Sequence, residues 1–215
     1  MDKILRITGN GCALCKPDAV VISITIKKGS PDYLTAMQNA DSAVMSLKDS
    51  LVKAGVLEET IFTKAFDVAV KNKYIKQNDE SKYVFDKYEV LHQLEVTIDF
   101  DKDLLSKCLV AITDSQSEPV FEINFTVKDQ TAAKGQALKN AVIDAQSQAE
   151  IISSASGVKL GEIVRIDHSF SQINIARPKA IELERSTVYD GAFNTINVDN
   201  IQFEANVTME WEIDD

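Results

Sequence analysis

Two cysteines near the amino end, Cys12 and Cys15, have the CxxC spacing that suits a thiol redox pair or half of a zinc site. A zinc site needs two further ligands, and the sequence holds no second CxxC and no pair of neighbouring histidines. A redox motif of the thioredoxin kind should open a helix, whereas Pro17, Asp18 and an alternating strand pattern follow here. We therefore predict that both cysteines are small residues near a strand end, with a reversible Cys12–Cys15 disulfide as the alternative.

The other residues able to do chemistry favour structural roles. Cys108 lies on the apolar stripe of a helix predicted over residues 101–113, so we expect a core thiol. His92 lies in the apolar phase of a strand, where a buried and hydrogen-bonded imidazole is expected, and His168 is far from it in sequence. The motifs GxGxxG, GxxxxGK[ST], HExxH, GxSxG and the EF-hand loop are missing. We predict no catalytic residue, no metal, no cofactor and no enzymatic activity.

Composition narrows the classes of partner. Of 215 residues, 45% are hydrophobic and 26% are charged, which is ordinary for a globular protein. Asp and Glu number 33 against 23 Lys and Arg, and the net charge of −10 disfavours nucleic acid and anionic membrane surfaces. No apolar run is long enough for a transmembrane helix. The first residues lack the apolar centre of a signal peptide, which predicts a cytoplasmic location, or a periplasmic or secreted one if a leader was removed.

Hydrophobic periodicity predicts an α+β fold in which largely antiparallel sheets pack against two long helices and one short helix. The predicted order is β-β-α-β-β-α-β-α-β-loop-β. Strands are predicted over 4–8, 20–27, 62–70, 83–100, 121–127, 163–166 and 201–213, and helices over 30–54, 101–113 and 128–156. The polar residues 76–81 predict that the third and fourth strands form a long hairpin.

Glycines and small residues give local predictions. The segment 9–11, Gly-Asn-Gly, predicts a turn, and Gly55 predicts a left-handed end to the first helix. Ser30 is predicted to cap that helix and Pro31 to occupy its first position. In the last helix an alanine recurs at every fourth residue (Ala133, Ala137, Ala141, Ala145 and Ala149), which predicts close packing on the protein's own sheet, with a dimer seam as the alternative.

Residues 169–200 show mixed polarity and no sustained period. A connection of about 30 residues is long for a compact domain, so we predict a flexible loop, with partner binding as a further role. The remainder of the chain predicts a single domain over residues 1–215, or two intertwined α+β subdomains.

Several short motifs occur along the chain in a recognisable order. Residues 7–11 are similar to an "I-T-V-x-G-x-G" stretch, residues 17–19 to "P-D-x-A", and residues 157–163 to "G-x-x-L-G-x-V" after an alanine-rich helix. The segment around Gly55, with Thr60 and Thr63, is similar to "x-x-G-I-x-x-x-D-I-x-T". Taken together, the chain resembles the SIMPL-domain family, which includes bacterial periplasmic immunogenic proteins.

The resemblance implies an α+β fold that associates into oligomers and a loosely defined part in bacterial stress tolerance. It implies no catalytic residues. We therefore predict a non-enzymatic, self-associating homo-oligomer that also has scope to bind a protein partner. Two alternatives stay open: a thiol redox protein that uses Cys12 and Cys15, and a small-molecule binding module with a pocket between sheet and helices.

Overall fold

The computed structural model describes residues 3–77, 80–115, 117–171 and 198–214. The described strands are β1 (Ile4–Cys15), β2 (Ala19–Ser30), β3 (Ile61–Gln77), β4 (Glu80–Asp99), β5 (Val120–Thr126), β6 (Lys159–Ser171) and β7 (Ile201–Asp214). The described helices are α1 (Tyr33–Lys53), α2 (Lys102–Asp114) and α3 (Gln130–Ser156). The predicted α+β class is confirmed, and these elements follow one another in the predicted order.

The chain divides into two compact units, each built around its own antiparallel sheet. The first unit contains β1, α3, β6 and β7, and the second contains β2 to β5 with α1 and α2. Their strand orders are β1-β7-β6 and β3-β4-β2-β5. Whether residues 1–215 behave as a single domain or as intertwined subdomains stays a prediction.

In the first unit α3 lies across β1 and β7. The alanine row of α3 is buried against the sheet, together with Ile7, Val207, Met209 and Trp211. Methyl side chains on every fourth residue keep one helix face flat, so the helix backbone comes close to the strands. The prediction that this row packs on the protein's own sheet is thus met in the structure.

Strand β1 differs from its prediction because it runs on through Gly9 and Gly11 without a turn. Its pairing with β7 is unbroken from Ile4, opposite Glu212, to Cys15, opposite Ile201. A Cβ atom at Gly9 would lie 2.7 Å from the Cβ of Ala145. The glycines therefore mark a close approach between strand and helix rather than a turn.

In the second unit β2 carries the predicted alternation. Val20, Ile22, Ile24 and Ile26 are buried, and the residues between them are partly exposed. Leu47 and Leu51 of α1 and Leu105, Leu109 and Ile112 of α2 are buried in the same unit. Strands β3 and β4 form the predicted long hairpin, and the aliphatic residues of β4 (Val90, Leu94, Val96 and Ile98) are buried on one face.

The start of α1 corrects the predicted cap. Asp32 is the N-cap, since its Oδ2 accepts hydrogen bonds from the backbone N–H and the hydroxyl of Thr35, both at 2.8 Å. Those two bonds hold the pKa of Asp32 below its usual value. Ser30, the predicted cap, instead accepts the N–H of Asp32 at 3.1 Å. At the other end Gly55 has φ +106°, the left-handed conformation that was predicted.

Strand β6 is longer than the predicted 163–166. Its pairing with β7 shifts register between Leu160 and Ile163 and again before Arg165, and such irregularities break the two-residue alternation on which the prediction relied. Residues 169–171 of the predicted loop belong to β6. Residues 172–197 lie outside the described residues, and so does most of the predicted flexible, partner-binding loop.

Candidate functional site

An open groove of about 630 Å³ lies in the first unit, where β1 ends and α3 begins. We call it the β1–α3 groove. It is lined by residues 12–15 of β1, by Val127 and Asp129, and by Ala132, Ala133, Gln136 and Asn140 of α3. This volume lies within the range of about 300–1,000 Å³ that small-molecule sites occupy.

Two local features set the groove walls. Asp129 is the N-cap of α3, and its Oδ1 accepts the N–H of Ala132 at 2.8 Å, which fixes where the helix begins. Gly11 lets the helix approach β1, since a Cβ there would lie 2.8 Å from the carbonyl carbon of Asn140. Beyond this contact, at residues 12–15, the strand and the first turns of α3 form the two sides of the groove.

A row of four polar residues on α3, spaced by four, lies along the edge of β1. We call it the polar ladder: Gln136, Asn140, Asp144 and Gln148. Asn140 Nδ2 donates to the carbonyl oxygen of Cys12 at 2.7 Å, and Asp144 Oδ2 accepts the N–H of Asn10 at 2.8 Å. Gln136 donates to Asn140 at 2.9 Å, and Gln148 donates to Asp144 at 2.8 Å.

The polar ladder replaces a missing neighbour strand. Within the described sheet β1 pairs with β7 on one side only, so alternate backbone groups of β1 face an open edge. Side chains of the ladder satisfy two of these groups, at Asn10 and Cys12. The polar atoms beside the groove therefore serve the fold first.

Sequence reasoning missed the polar ladder, although a signal was present. Each of its members follows an alanine of the buried row by three positions, so it lies on a neighbouring stripe of the same helix. A polar stripe of this kind is usually read as a solvated face. Only the open edge of β1 beside it shows that these side chains bond to the backbone of another element.

The structure does not bring Cys12 and Cys15 together. They are three residues apart on one strand, so they lie on opposite faces, Cys12 exposed and Cys15 half-buried. At about 3.3 Å per residue their Cα atoms are about 10 Å apart, beyond the roughly 7 Å that a disulfide spans. The predicted position near a strand end is found, and a Cys12–Cys15 disulfide would require β1 to unpair. Cys108 is buried in α2, and burial raises the pKa of its thiol to about 11.

Thiol alkylation of the native protein should follow this order of exposure. We expect Cys12 to react first and Cys15 more slowly, while Cys108 reacts only after unfolding because it is buried and holds its proton. Mass spectrometry of peptides after timed iodoacetamide treatment measures all three rates. Mild peroxide should give no Cys12–Cys15 disulfide within one chain, and its appearance in the folded protein would contradict the strand geometry.

Of the two histidines, His92 of β4 is the more constrained. Its Nε2 lies 3.0 Å from Thr63 Oγ1, and its ring meets Phe66 edge-on at 5.3 Å between centroids. Its buried Nδ1 has no hydrogen-bond partner among the described residues. Burial, and then the charge of Lys48, lower the pKa of His92, while Asp41 opposes them. The predicted hydrogen-bonded imidazole is therefore found, half-buried. His168 is exposed on β6, edge-on to Phe170.

This lowered pKa predicts a pH dependence of stability. The unfolded chain takes up a proton near the ordinary pKa of 6.5, but the folded chain resists it. The contribution of neutral His92 to the free energy of unfolding is therefore fully present above that pH. It is lost as the pH falls toward the pKa of His92 in the folded chain. We expect the melting temperature of a His92→Leu variant to fall less between pH 7.5 and 5.5 than that of the original chain. His168→Leu is the control, and an equal fall in all three proteins would show that His92 is not responsible.

Neither a metal-binding cluster nor a membrane-spanning helix occurs among the described residues. No group of three or more His, Cys, Asp or Glu side chains is placed to hold a metal ion in the described ranges. Among the described helices, none is both long enough and apolar enough to cross a membrane.

The family model of SIMPL, a protein of unknown function (DUF541), matches residues 5–211. The chain belongs to the SIMPL family. The resemblance inferred from its motifs is thereby confirmed. This SIMPL chain is 23% identical over 167 residues to the 26 kDa periplasmic immunogenic protein of Brucella abortus (strain S19). It is 22% identical to the protein of that name in Brucella melitensis biotype 1. The alignments cover 75% of this chain, and it spans 65% of the length of these relatives.

Solved structures offer weaker likenesses. B. subtilis GlnK is 13% identical, with a TM-score of 0.28, over 51% of this chain and 85% of its own. An unknown protein from Galdieria sulphuraria is 7% identical, with a TM-score of 0.20, over 92% of this chain and 84% of its own. Both scores are too low to relate folds, so the description of the SIMPL chain rests on its own strand order.

Proposed function

We propose that this SIMPL protein is a non-enzymatic protein that works by associating with copies of itself. One observation carries the proposal: large apolar side chains are exposed along three strands of the two sheets. They are Phe62, Phe66, Val70 and Tyr74 of β3, Tyr83 and Phe85 of β4, and Ile163, Val164, Ile166 and Phe170 of β6.

Exposed apolar surface of this extent favours binding to a partner. Single exposed apolar residues are common, but soluble monomers rarely expose extended apolar patches, because burying them against a partner releases free energy. Strands β3 and β6 are also sheet edges within the described residues, which adds unpaired backbone groups to the same surfaces. Self-association would bury the exposed apolar side chains and pair the open strand edges, and it needs no catalytic residue.

The relatives also bear on the location in the cell that we propose for this protein. The relatives from Brucella are named as periplasmic proteins, which supports the periplasmic alternative for this chain. The cytoplasmic location predicted from the sequence has no support in these comparisons. The proposal includes a contribution to bacterial stress tolerance because the resemblance to the family implies one.

Sedimentation velocity over a range of micromolar concentrations tests the proposal. We expect species larger than a monomer that persist at high salt, because salt screens the repulsion between chains of charge −10 and does not weaken apolar contacts. A strict monomer throughout this range would contradict self-association.

The β1–α3 groove favours a second candidate function, the binding of a small molecule. Its volume is suitable, and Ala13, Leu14, Val127 and Ala133 give it apolar walls. A screen for compounds that raise the melting temperature tests this candidate, with Leu14→Asp as the variant that should lose the effect. No stabilising compound, or equal stabilisation of the variant, would argue against it. The thiol redox alternative is weakened, because Cys12 and Cys15 lie on opposite faces of β1.

A further inference from the structure

The hairpin of the second unit extends beyond its sheet. Strand β2 pairs with β4 only as far as Ser30 opposite Tyr88, whereas β3 and β4 stay paired from there to Gln77 opposite Glu80. Residues 71–77 and 80–87 therefore form a two-stranded segment without a third strand among the described residues. We call this segment the arm.

The two faces of the arm differ in character. One face carries ion pairs: Lys73 to Asp86 at 3.1 Å, and Glu89 to Lys71 at 3.2 Å and to Lys87 at 3.5 Å. Burial alone would raise the pKa of Glu89, but its bonds and charge interactions with the two lysines outweigh that and lower it. The charges on this face are thus partly neutralised within one chain.

The other face carries Tyr74, Tyr83 and Phe85, and the aromatic side chains continue past the arm to Tyr88 of β4 and Tyr33 of α1. We call these five residues the aromatic row. Ring centroids are 5.5 Å apart for Tyr33 and Tyr88, 5.2 Å for Phe85 and Tyr88, and 5.3 Å for Tyr74 and Tyr83. Tyr83 is 72% exposed and Tyr74 is 58% exposed.

A bulge is responsible for the continuity of this row. Phe85 and Tyr88 are three residues apart and would lie on opposite faces of a regular strand. The register shifts between Lys71 and Asn72, so that Asp86 is left over and Phe85 comes to the face of Tyr88.

The geometry of the rings limits what the aromatic row can bind. Its contacts have interplanar angles of 59° to 88°, so the rings form a ridge and not a flat platform. Flat ligands such as nucleobases or sugar rings stack best on an open ring face, and the charge of −10 disfavours polyanions. A ridge of tilted rings instead suits interdigitation with other apolar side chains of a protein.

The apolar area of the aromatic row and the small charge of the arm favour a second copy of this chain as the protein that binds the row. Aromatic side chains bury roughly 150–250 Å² each, so the four exposed rings, with the uncovered part of Tyr88, offer about 500 Å². Two copies therefore bury about 1,000 Å² between them, the lower limit for a specific interface. Whole chains of charge −10 repel each other, but residues 71–87 contain five lysines and three acidic residues, a net charge of only +2. Two arms therefore repel each other less than two whole chains do.

We propose that the aromatic row is a homotypic contact, through which two copies of this chain associate arm against arm. The proposal rests on the proposed function, because it names the surface through which self-association takes place. The contact is symmetric, so each copy uses the same rings that it offers.

A double variant, Tyr74→Ser with Tyr83→Ser, tests the assignment. Both rings are exposed, so the fold should be retained, as far-UV circular dichroism will check. In sedimentation velocity we expect association to weaken at least tenfold. Val120→Ser is the matched control, because Val120 is as exposed as Tyr83 but lies on β5, and it should associate like the original chain.

A capture experiment distinguishes arm-to-arm contact from other arrangements. A tagged double variant should retain clearly less of the untagged original chain than a tagged original chain does, because a homotypic contact uses the rings of both copies. Equal retention would show that the arm of the original chain binds a different surface of its partner and would overturn the proposal. An unchanged oligomer in the double variant would overturn the arm assignment but leave the proposed function intact, whereas a monomeric original chain would overturn both.

Discussion

Replacement of Gly11 by alanine is expected to destabilise the first unit by about 3 kcal/mol or more, a large part of the stability of a typical domain. The new methyl group would overlap the carbonyl oxygen of Ala137 and the backbone nitrogen of Ala141, both in α3. Backbone atoms inside a helix have no alternative rotamer, so the whole helix has to move away from β1. That movement would also weaken the bond from Asn140 to the Cys12 carbonyl.

Chemical denaturation followed by circular dichroism measures this loss, and Gly135→Ala is its matched control. Gly135 lies within α3, and a Cβ there would meet nothing within 4 Å. We expect this control to stabilise the protein by about 1 kcal/mol, because alanine is the better helix former. If both substitutions have the same small effect, the helix does not lie against β1 at Gly11.

The second large effect is expected for Leu47→Ala in α1. Leu47 is fully buried, so the substitution removes apolar contacts and leaves a cavity, at a cost of about 3–4 kcal/mol. The free energy of unfolding in denaturant is the quantity to compare. Met45→Ala is the control on the same helix, since Met45 is 67% exposed and its loss should cost well under 1 kcal/mol. Equal losses would mean that α1 turns a different face to the sheet.

Elements with one strong periodicity were predicted well. The alternation of β2 and the alanine row of α3 each describe burial on one face, and the structure buries those faces. Such patterns can be read from a sequence because the period of a strand or helix is a property of the local backbone.

Elements that depend on a distant neighbour were predicted poorly. Gly9 and Gly11 indicate a turn when only local residues are considered, but they lie in a strand that pairs with β7, and they are small because α3 passes over them. Strand β6 was shortened in the prediction because register shifts against β7 interrupt its alternation.

The candidate sites show the same division. The CxxC spacing left a redox pair open as the alternative to two small residues near a strand end. A pair of thiols depends on backbone conformation, and a strand turns Cys12 and Cys15 to opposite faces. The polar ladder and the aromatic row were not predicted. The first needs the open edge of β1, and the second needs the bulge at Asp86 of β4.

By itself the sequence determined the α+β class, the order of strands and helices, the acidic surface charge and, through motifs spread along the chain, membership in the SIMPL family. Tertiary structure alone decided the strand order in each sheet, the separation of the two thiols and the position of five aromatic side chains in one row. The physical reason is range. Periodicity and charge belong to neighbouring residues, whereas pairing, bulges and close helix approach depend on residues that meet only after the chain has folded.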